Sequence, residues 1–243
     1  MVVEMAFGHY LTSSAASASA FQLFFSVFAC WSLWKARNDK VFNDIHPKLD
    51  ETVFATKLRT LFWFKVDKDD WCPLVDEWWE NPRSYERGGW EKVDRSVAWV
   101  PPTSGVVKFN VDGASKDELA GCGGVLRCED GVLRAIFSGP VIGKGTYFAN
   151  LSAVKIALEV FIEANWKGRA ALLVELDSSL VVSWLNDISL RPWCWWHVLL
   201  EIDRLIRAIG NVQCCLVSRH NNIFAGCLAR DGVHRRSMFK AWW

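Results

Sequence analysis

Two aspartates, Asp112 and Asp177, each close a short apolar stretch of this 243-residue chain. In "VKFNVDGAS", residues 107–115, Val107, Phe109 and Val111 alternate with Lys108, Asn110 and Asp112. That is the period of a half-buried β-strand. It stops on an acid, and Gly113 and Ala114 follow. "ALLVEL", residues 171–176, reads as a short buried strand that ends on Asp177. Strand ends in α/β sheets are where ligand sites gather. Two carboxylates brought together there repel each other unless a cation stands between them. Hard oxygen donors of this kind suit Mg²⁺ or Mn²⁺. Each acid also has an ordinary account, Asp112 as a turn residue and Asp177 as the N-cap of a following helix.

The elements around them follow from periodicity. Strands are predicted over 106–112, 122–127 and 132–138, the last two joined by "CEDG", residues 128–131. An Asp-Gly step between apolar runs signals a hairpin. A helix over 149–164 follows, with Leu151, Val154, Leu158 and Phe161 at helical spacing. After the strand at 171–176 come a helix over 178–186, capped by Asp177, and one whose face is Trp196, Leu199, Ile202, Ile206 and Ile209. A strand at 212–218 and a helix at 222–230 complete the order β-β-β-α-β-α-α-β-α.

Ahead of these, Pro82, Gly88, Gly89, Pro101 and Pro102 break any period, so residues 81–105 read as a linker. Residues 1–80 form a helical region, with helices over 17–37 and 49–66. The second has Val53, Leu58, Leu61, Phe62 and Phe64 on a broad apolar face.

Composition is that of a folded chain, 51% hydrophobic and 23% charged, with a net charge of +1. From Gly105 onward there are 16 Lys or Arg and 13 Asp or Glu, so the positive excess lies in the C-terminal part. Fifteen tryptophans, many in pairs such as Trp78-Trp79, Trp195-Trp196 and Trp242-Trp243, are expected to pack rather than to stack on bases. The eight cysteines show neither C-x-x-C pairs nor zinc spacing, so reduced thiols of an intracellular protein are expected, nuclear or cytoplasmic. The apolar run at 20–34 is too short and too interrupted for a membrane span and is read as a buried helix.

"KFNVDGA", "GCGGVLRCEDG", "VELDSSLVVSW", "PWCWWHVLLEIDRLI" and "SRHNNIFAGCLARDGV" together resemble the ribonuclease H domain of plant non-LTR retroelements. "WSLWKARNDKVF", residues 31–42, resembles the segment just ahead of that domain. The resemblance covers about residues 31–240, and residues 106–240 are the part that is similar to ribonuclease H itself. It implies an α/β ribonuclease H-like fold, a five-stranded mixed sheet whose first three strands are antiparallel, flanked by helices. It also implies four acids holding two Mg²⁺ (or Mn²⁺) ions that cut the RNA strand of an RNA–DNA hybrid. Small residues after the first acid would leave room for metal and phosphate.

Carried over by motif, the resemblance assigns Asp112 to the first catalytic and metal-binding acid and Asp177 to the third. The second is expected in E-A-E-L-x-A, where this chain has "FANLSA" and Asn150 stands at the glutamate position. The fourth is expected in A-N-x-x-A-D-x-L-A, where this chain has "NNIFAGCLA" and Gly226 stands at the aspartate position. Asp231 is five residues on, about 140° around a helix, and points elsewhere. Glu175 shares the strand face of Asp177 and is a minor substitute. His220 falls where some ribonucleases H carry a helper histidine. Arg219, Arg235 and Arg236 are the expected nucleic-acid contacts, the last two in a basic cluster with Arg230 and Lys240.

Three readings stay open on the sequence. One is an active hybrid ribonuclease; another is a weak or inactive ribonuclease H-like module that still holds nucleic acid. The third is a structural or decayed domain. The expected partner is nucleic acid, an RNA–DNA hybrid, bound by a monomer with no membrane and no small-molecule cofactor.

Overall fold

The structure is a computed structural model. It describes the backbone of residues 14–67, 71–73, 90–92 and 99–242, and the side chains of 22–49, 51–60 and 99–242. The chain divides into two units, Met1–Ser96 and Val97–Trp243.

The first unit pairs α1 (Ser14–Phe42) with α2 (Leu49–Asp67). Both run longer than their periodicity predicts. The face of α2 also differs: Phe54, Thr56, Leu58 and Thr60 are buried, whereas Val53 is exposed. The two threonines satisfy their hydroxyls on the carbonyls four residues back, which is how a polar side chain can line a helix interface. Leu61, Phe62 and Phe64 have side chains outside the described residues, as do Trp78 and Trp79. No described helix is long and apolar enough to cross a membrane. β1 (Trp71–Pro73) pairs antiparallel with β2 (Trp90–Lys92), and β2 falls within the stretch read as a linker.

The second unit is one mixed sheet with helices on both faces. Its strands are β3 (Val106–Lys116), β4 (Leu119–Arg127), β5 (Leu133–Val141), β6 (Ala171–Leu176), β7 (Val212–Leu216) and β8 (Phe239–Trp242), in the spatial order β7-β6-β3-β4-β5-β8. β3, β4 and β5 are antiparallel neighbours, and β6 and β7 run parallel to β3. The sheet therefore has six strands, not five. The extra one, β8, follows the last predicted element, and it covers the edge of β5 from Ser138 to Ala135.

β3 also continues beyond Asp112. Gly113 to Lys116 pair with Cys122 to Leu119, and the turn at Asp117-Glu118 has both residues at positive φ, as a tight hairpin requires. Asp112 thus lies within a strand and is no turn residue. The Asp-Gly hairpin forms as predicted, with Gly131 at φ +73°.

Helices α3 (Thr146–Glu163), α4 (Ser179–Asn186) and α5 (Trp196–Ile209) contribute to the main core. There they pack around Phe109, Val111, Phe137, Leu172 and Val174. Trp195 stacks on Phe148 with ring centroids 5.2 Å apart, whereas Trp193 is 88% exposed. On the other face lies α6 (Ile223–His234), against β3, β4 and β5. Gly123 admits it: a Cβ there would meet Leu228 Cβ at 2.4 Å and the Ala229 nitrogen at 2.5 Å.

Candidate nucleic-acid and acid-pair site

Register brings the two aspartates together. β3 and β6 pair in parallel up to Asn110 opposite Glu175. Two residues further along each chain are Asp112 and Asp177, on neighbouring strands whose axes are about 4.8 Å apart. Asp177 has left the strand by then. It does not cap α4; Ser178 is the residue at that position, and its side chain makes no capping bond.

Gly113 has a reason of its own to be small. A Cβ there would fall 2.2 Å from the Ala149 carbonyl carbon and from the Asn150 nitrogen. The first turns of α3 therefore rest directly on β3 at Gly113, so the smallness of this residue serves helix–strand packing. Asn150 is buried in this junction. Its Oδ1 accepts from the Gly113 N–H at 3.1 Å, and its Nδ2 donates to the Thr146 carbonyl at 3.0 Å. Its oxygen ties α3 to β3, and its nitrogen closes on the first residue of α3 itself.

Position 226 lies against Asp112. A Cβ on Gly226 would sit 3.1 Å from Asp112 Oδ2 and 3.8 Å from Arg230 Nη1. Asn222, which carries no role among the expected site residues, is buried and donates from Nδ2 to the Val111 carbonyl at 3.0 Å, pinning the start of α6 beside Asp112. An asparagine directly before an apolar helix was the available signal.

Glu175 is not a spare ligand. Its Oε1 pairs with Lys108 Nζ at 2.8 Å and its Oε2 accepts from Asn110 Nδ2 at 2.8 Å. Asp231 is held by Arg235 at 3.2 Å. Arg219 and His220 are exposed in the short turn before α6, and Arg236 is exposed. Arg235 is not: its side chain is 7% exposed, and its guanidinium lies 5.2 Å from the Phe239 ring. Lys240 bonds both carboxylate oxygens of Glu163 at 3.0 and 3.1 Å. The basic cluster is therefore largely consumed within the fold.

The Asp112 carboxyl is pushed up from 3.8 to about 7, chiefly by burial and then by the Asp177 charge; the Gly113 N–H, Arg230 and Arg219 pull the other way. An acid raised on folding holds its proton in the folded state after the unfolded chain has lost it. Stability should then fall as pH rises from about 4 to about 7, by up to about 4 kcal/mol from this group. Asp112→Asn keeps the oxygen that accepts from Gly113 and removes the charge. It is expected to raise Tm by several degrees at pH 8 and by nothing at pH 4. Thermal unfolding at both pH values measures this; a variant no more stable at pH 8 than the parent contradicts it.

A two-ion centre needs more oxygen ligands than the site offers. Among the described residues no group of three or more His, Cys, Asp or Glu could hold a metal. Asn150 is engaged at both ends, and Gly226 has no side chain. The residues present do not fit a pair of Mg²⁺ ions.

Among solved structures, the chain is similar to RNase H1 of the halophilic archaeon Halobacterium salinarum NRC-1, at 25% identity over 53% of this chain and 97% of that one, with a TM-score of 0.46. It is similar to the N-terminal RNase H domain of a Mycobacterium tuberculosis protein, at 20% identity over 54% and 94%, with a TM-score of 0.48. It is also similar to LC11-RNase H1, isolated from compost, in complex with an RNA/DNA hybrid, at 18% identity over 52% and 96%, with a TM-score of 0.49. No curated protein matches the chain. The profile of the reverse transcriptase-like family matches residues 110–232, just over half the chain and the span from Asn110 to the last turn of α6, and the chain belongs to that family.

Proposed function

We propose that the α/β unit is a ribonuclease H-like nucleic-acid-binding domain of retroelement origin, in which hydrolysis of RNA in RNA–DNA hybrids is lost or weak. The observation that carries this is the acid set. Asp112 stands on β3 and Asp177 just past the end of the neighbouring β6, while Asn150 is spent on Gly113 and Thr146, and position 226 is bare. The quoted motifs support an origin in plant non-LTR elements. The domain works inside the cell, in nucleus or cytoplasm, as a monomer without a small-molecule cofactor.

Ribonuclease H-type binding uses the backbone and 2′-hydroxyls of the hybrid rather than base edges, so it does not all depend on metal. Arg219 and Arg236 are the exposed candidates for phosphate contact. The expected result is weak, sequence-insensitive hybrid binding by fluorescence anisotropy at about 50 mM salt with EDTA present. Arg219→Ala and Arg236→Ala should each flatten the salt slope by about one unit. Arg235→Ala should leave the slope unchanged and lower stability, because its partners are Asp231 and Phe239. Absence of binding at that salt concentration would return the domain to a packing role.

A further inference from the structure

The bare position on α6 has a neighbour that changes the meaning of the missing acid. Arg230 follows Gly226 by four residues and so lies on the same face of the helix. Side chains on a helix lean toward its N-terminus, which carries Arg230 back over position 226. The distances agree with this. One point, the Cβ that Gly226 lacks, is 3.8 Å from Arg230 Nη1 and 3.1 Å from Asp112 Oδ2. Arg230 Nη2 donates to Cys227 Sγ at 3.4 Å, which fixes the guanidinium on this side of the helix. Gly226 places no side chain at the point that guanidinium and carboxylate both approach.

The charges balance without an ion. Above about pH 7, where Asp112 has given up its proton, Asp112 and Asp177 carry two negative charges between them. Arg219 and Arg230 both act on Asp112 as attracting cations. A divalent ion entering here would meet two positive side chains and no surplus of negative charge. It would also find few of the six oxygens that Mg²⁺ requires. An aspartate at 226 would instead compete with Asp112 for Arg230.

We infer that Arg230 is the resident cation of the acid pair, its guanidinium standing where a divalent ion would be needed and keeping that ion out. The inference rests on reading Asp112 and Asp177 as the remainder of a four-carboxylate set. Loss of the acid at 226 and use of Arg230 are then one change rather than two.

The test reads metal binding and folding, not activity. Unbound Mn²⁺ is followed by electron paramagnetic resonance, and Tm is measured in EDTA and in about 10 mM Mg²⁺, a concentration that fills ordinary carboxylate sites. The unaltered chain should bind no Mn²⁺ below about 1 mM and show the same Tm in both solutions. Arg230→Gln should lose several degrees of Tm at pH 8, Arg230→Lys should recover most of the loss, and Mn²⁺ should recover part of it in the glutamine variant alone. Adding Gly226→Asp to Arg230→Gln should tighten Mn²⁺ binding at least about tenfold, as one added carboxylate ligand does. Sub-millimolar Mn²⁺ binding by the unaltered chain overturns the inference, and so does an Arg230→Gln variant with unchanged Tm and unchanged metal binding. If Arg230→Gln does not fold, the unaltered chain and Arg230→Lys still decide, since both must refuse Mn²⁺. Hybrid anisotropy in EDTA, run on the same samples, fails separately if the nucleic-acid reading is the one at fault.

Discussion

Changing Asn150 to Glu and Gly226 to Asp together is expected to raise Mg²⁺-dependent cleavage of an RNA–DNA hybrid by about a hundredfold over the unaltered chain. The two changes restore four carboxylates, and four negative charges outweigh the two of Arg219 and Arg230. Each change alone should recover little, because ligands of one metal set act as a unit. The geometry sets different demands at the two positions. An Asp Cβ at 226 would start 3.1 Å from Asp112 Oδ2, so the Asp112 side chain must give way by a few tenths of an ångström. Replacing a mid-helix glycine by aspartate returns only about 0.3 kcal/mol of helix propensity, which offsets little of that crowding. Glu at 150 forfeits the bond to the Thr146 carbonyl, and its longer side chain must leave the Gly113 N–H to reach a metal. A moderate loss of Tm is therefore part of the expectation. Cleavage of labelled hybrid on a gel, with folding checked by circular dichroism, measures the outcome. A folded double variant that binds hybrid yet cuts no faster than the single variants would show that the site lacks more than its acids.

Most of the α/β unit is legible in the sequence because its helices and central strands carry strong periods. The misses have physical causes. Periodicity ends β3 at Asp112 because Gly113, Ala114 and Ser115 have low strand preference on their own; the pairing with β4 holds them. β8 has no sequence signal because four residues with two aromatics and a lysine carry too little pattern, and only the open edge of β5 selects the strand. The motifs located Asp112, Asp177, Asn150 and Gly226, but composition could not show that Asn150 and Gly113 serve the α3–β3 junction. Nor could it show that Arg235 and Lys240 are turned inward to Asp231 and Glu163. The largest miss lies in the alternation itself. Lys108 and Asn110 occupy the polar phase of β3, which a period of two assigns to solvent, yet they are 7% and 1% exposed.

That buried polar face should be where the fold is most easily broken. Lys108, Asn110, Arg127 and Glu175 form one cluster around a single acid. Glu175 pairs with Lys108 at 2.8 Å and accepts from Asn110, whose Oδ1 accepts from Arg127 Nη1 at 3.4 Å. Lys108 also donates to the Val100 carbonyl at 2.8 Å, and Trp99 lies against both cations, 5.1 Å from Lys108 Nζ and 4.8 Å from the Arg127 guanidinium. Burial draws Arg127 down to about 10, and the Glu175 charge opposes that shift. Removing the acid leaves two buried cations facing each other. Glu175→Gln is therefore expected to cost about 3–5 kcal/mol at pH 7, far more than a surface pair would. Replacing Lys108 by Met in the same chain should restore a large share, because the pair is coupled and an apolar side chain of similar length removes one unpaired charge. Urea unfolding of the parent, both single variants and the double variant closes the cycle. A coupling energy below about 0.5 kcal/mol, the level of independent sites, would mean that Trp99 and the carbonyl of Val100 hold these cations without Glu175.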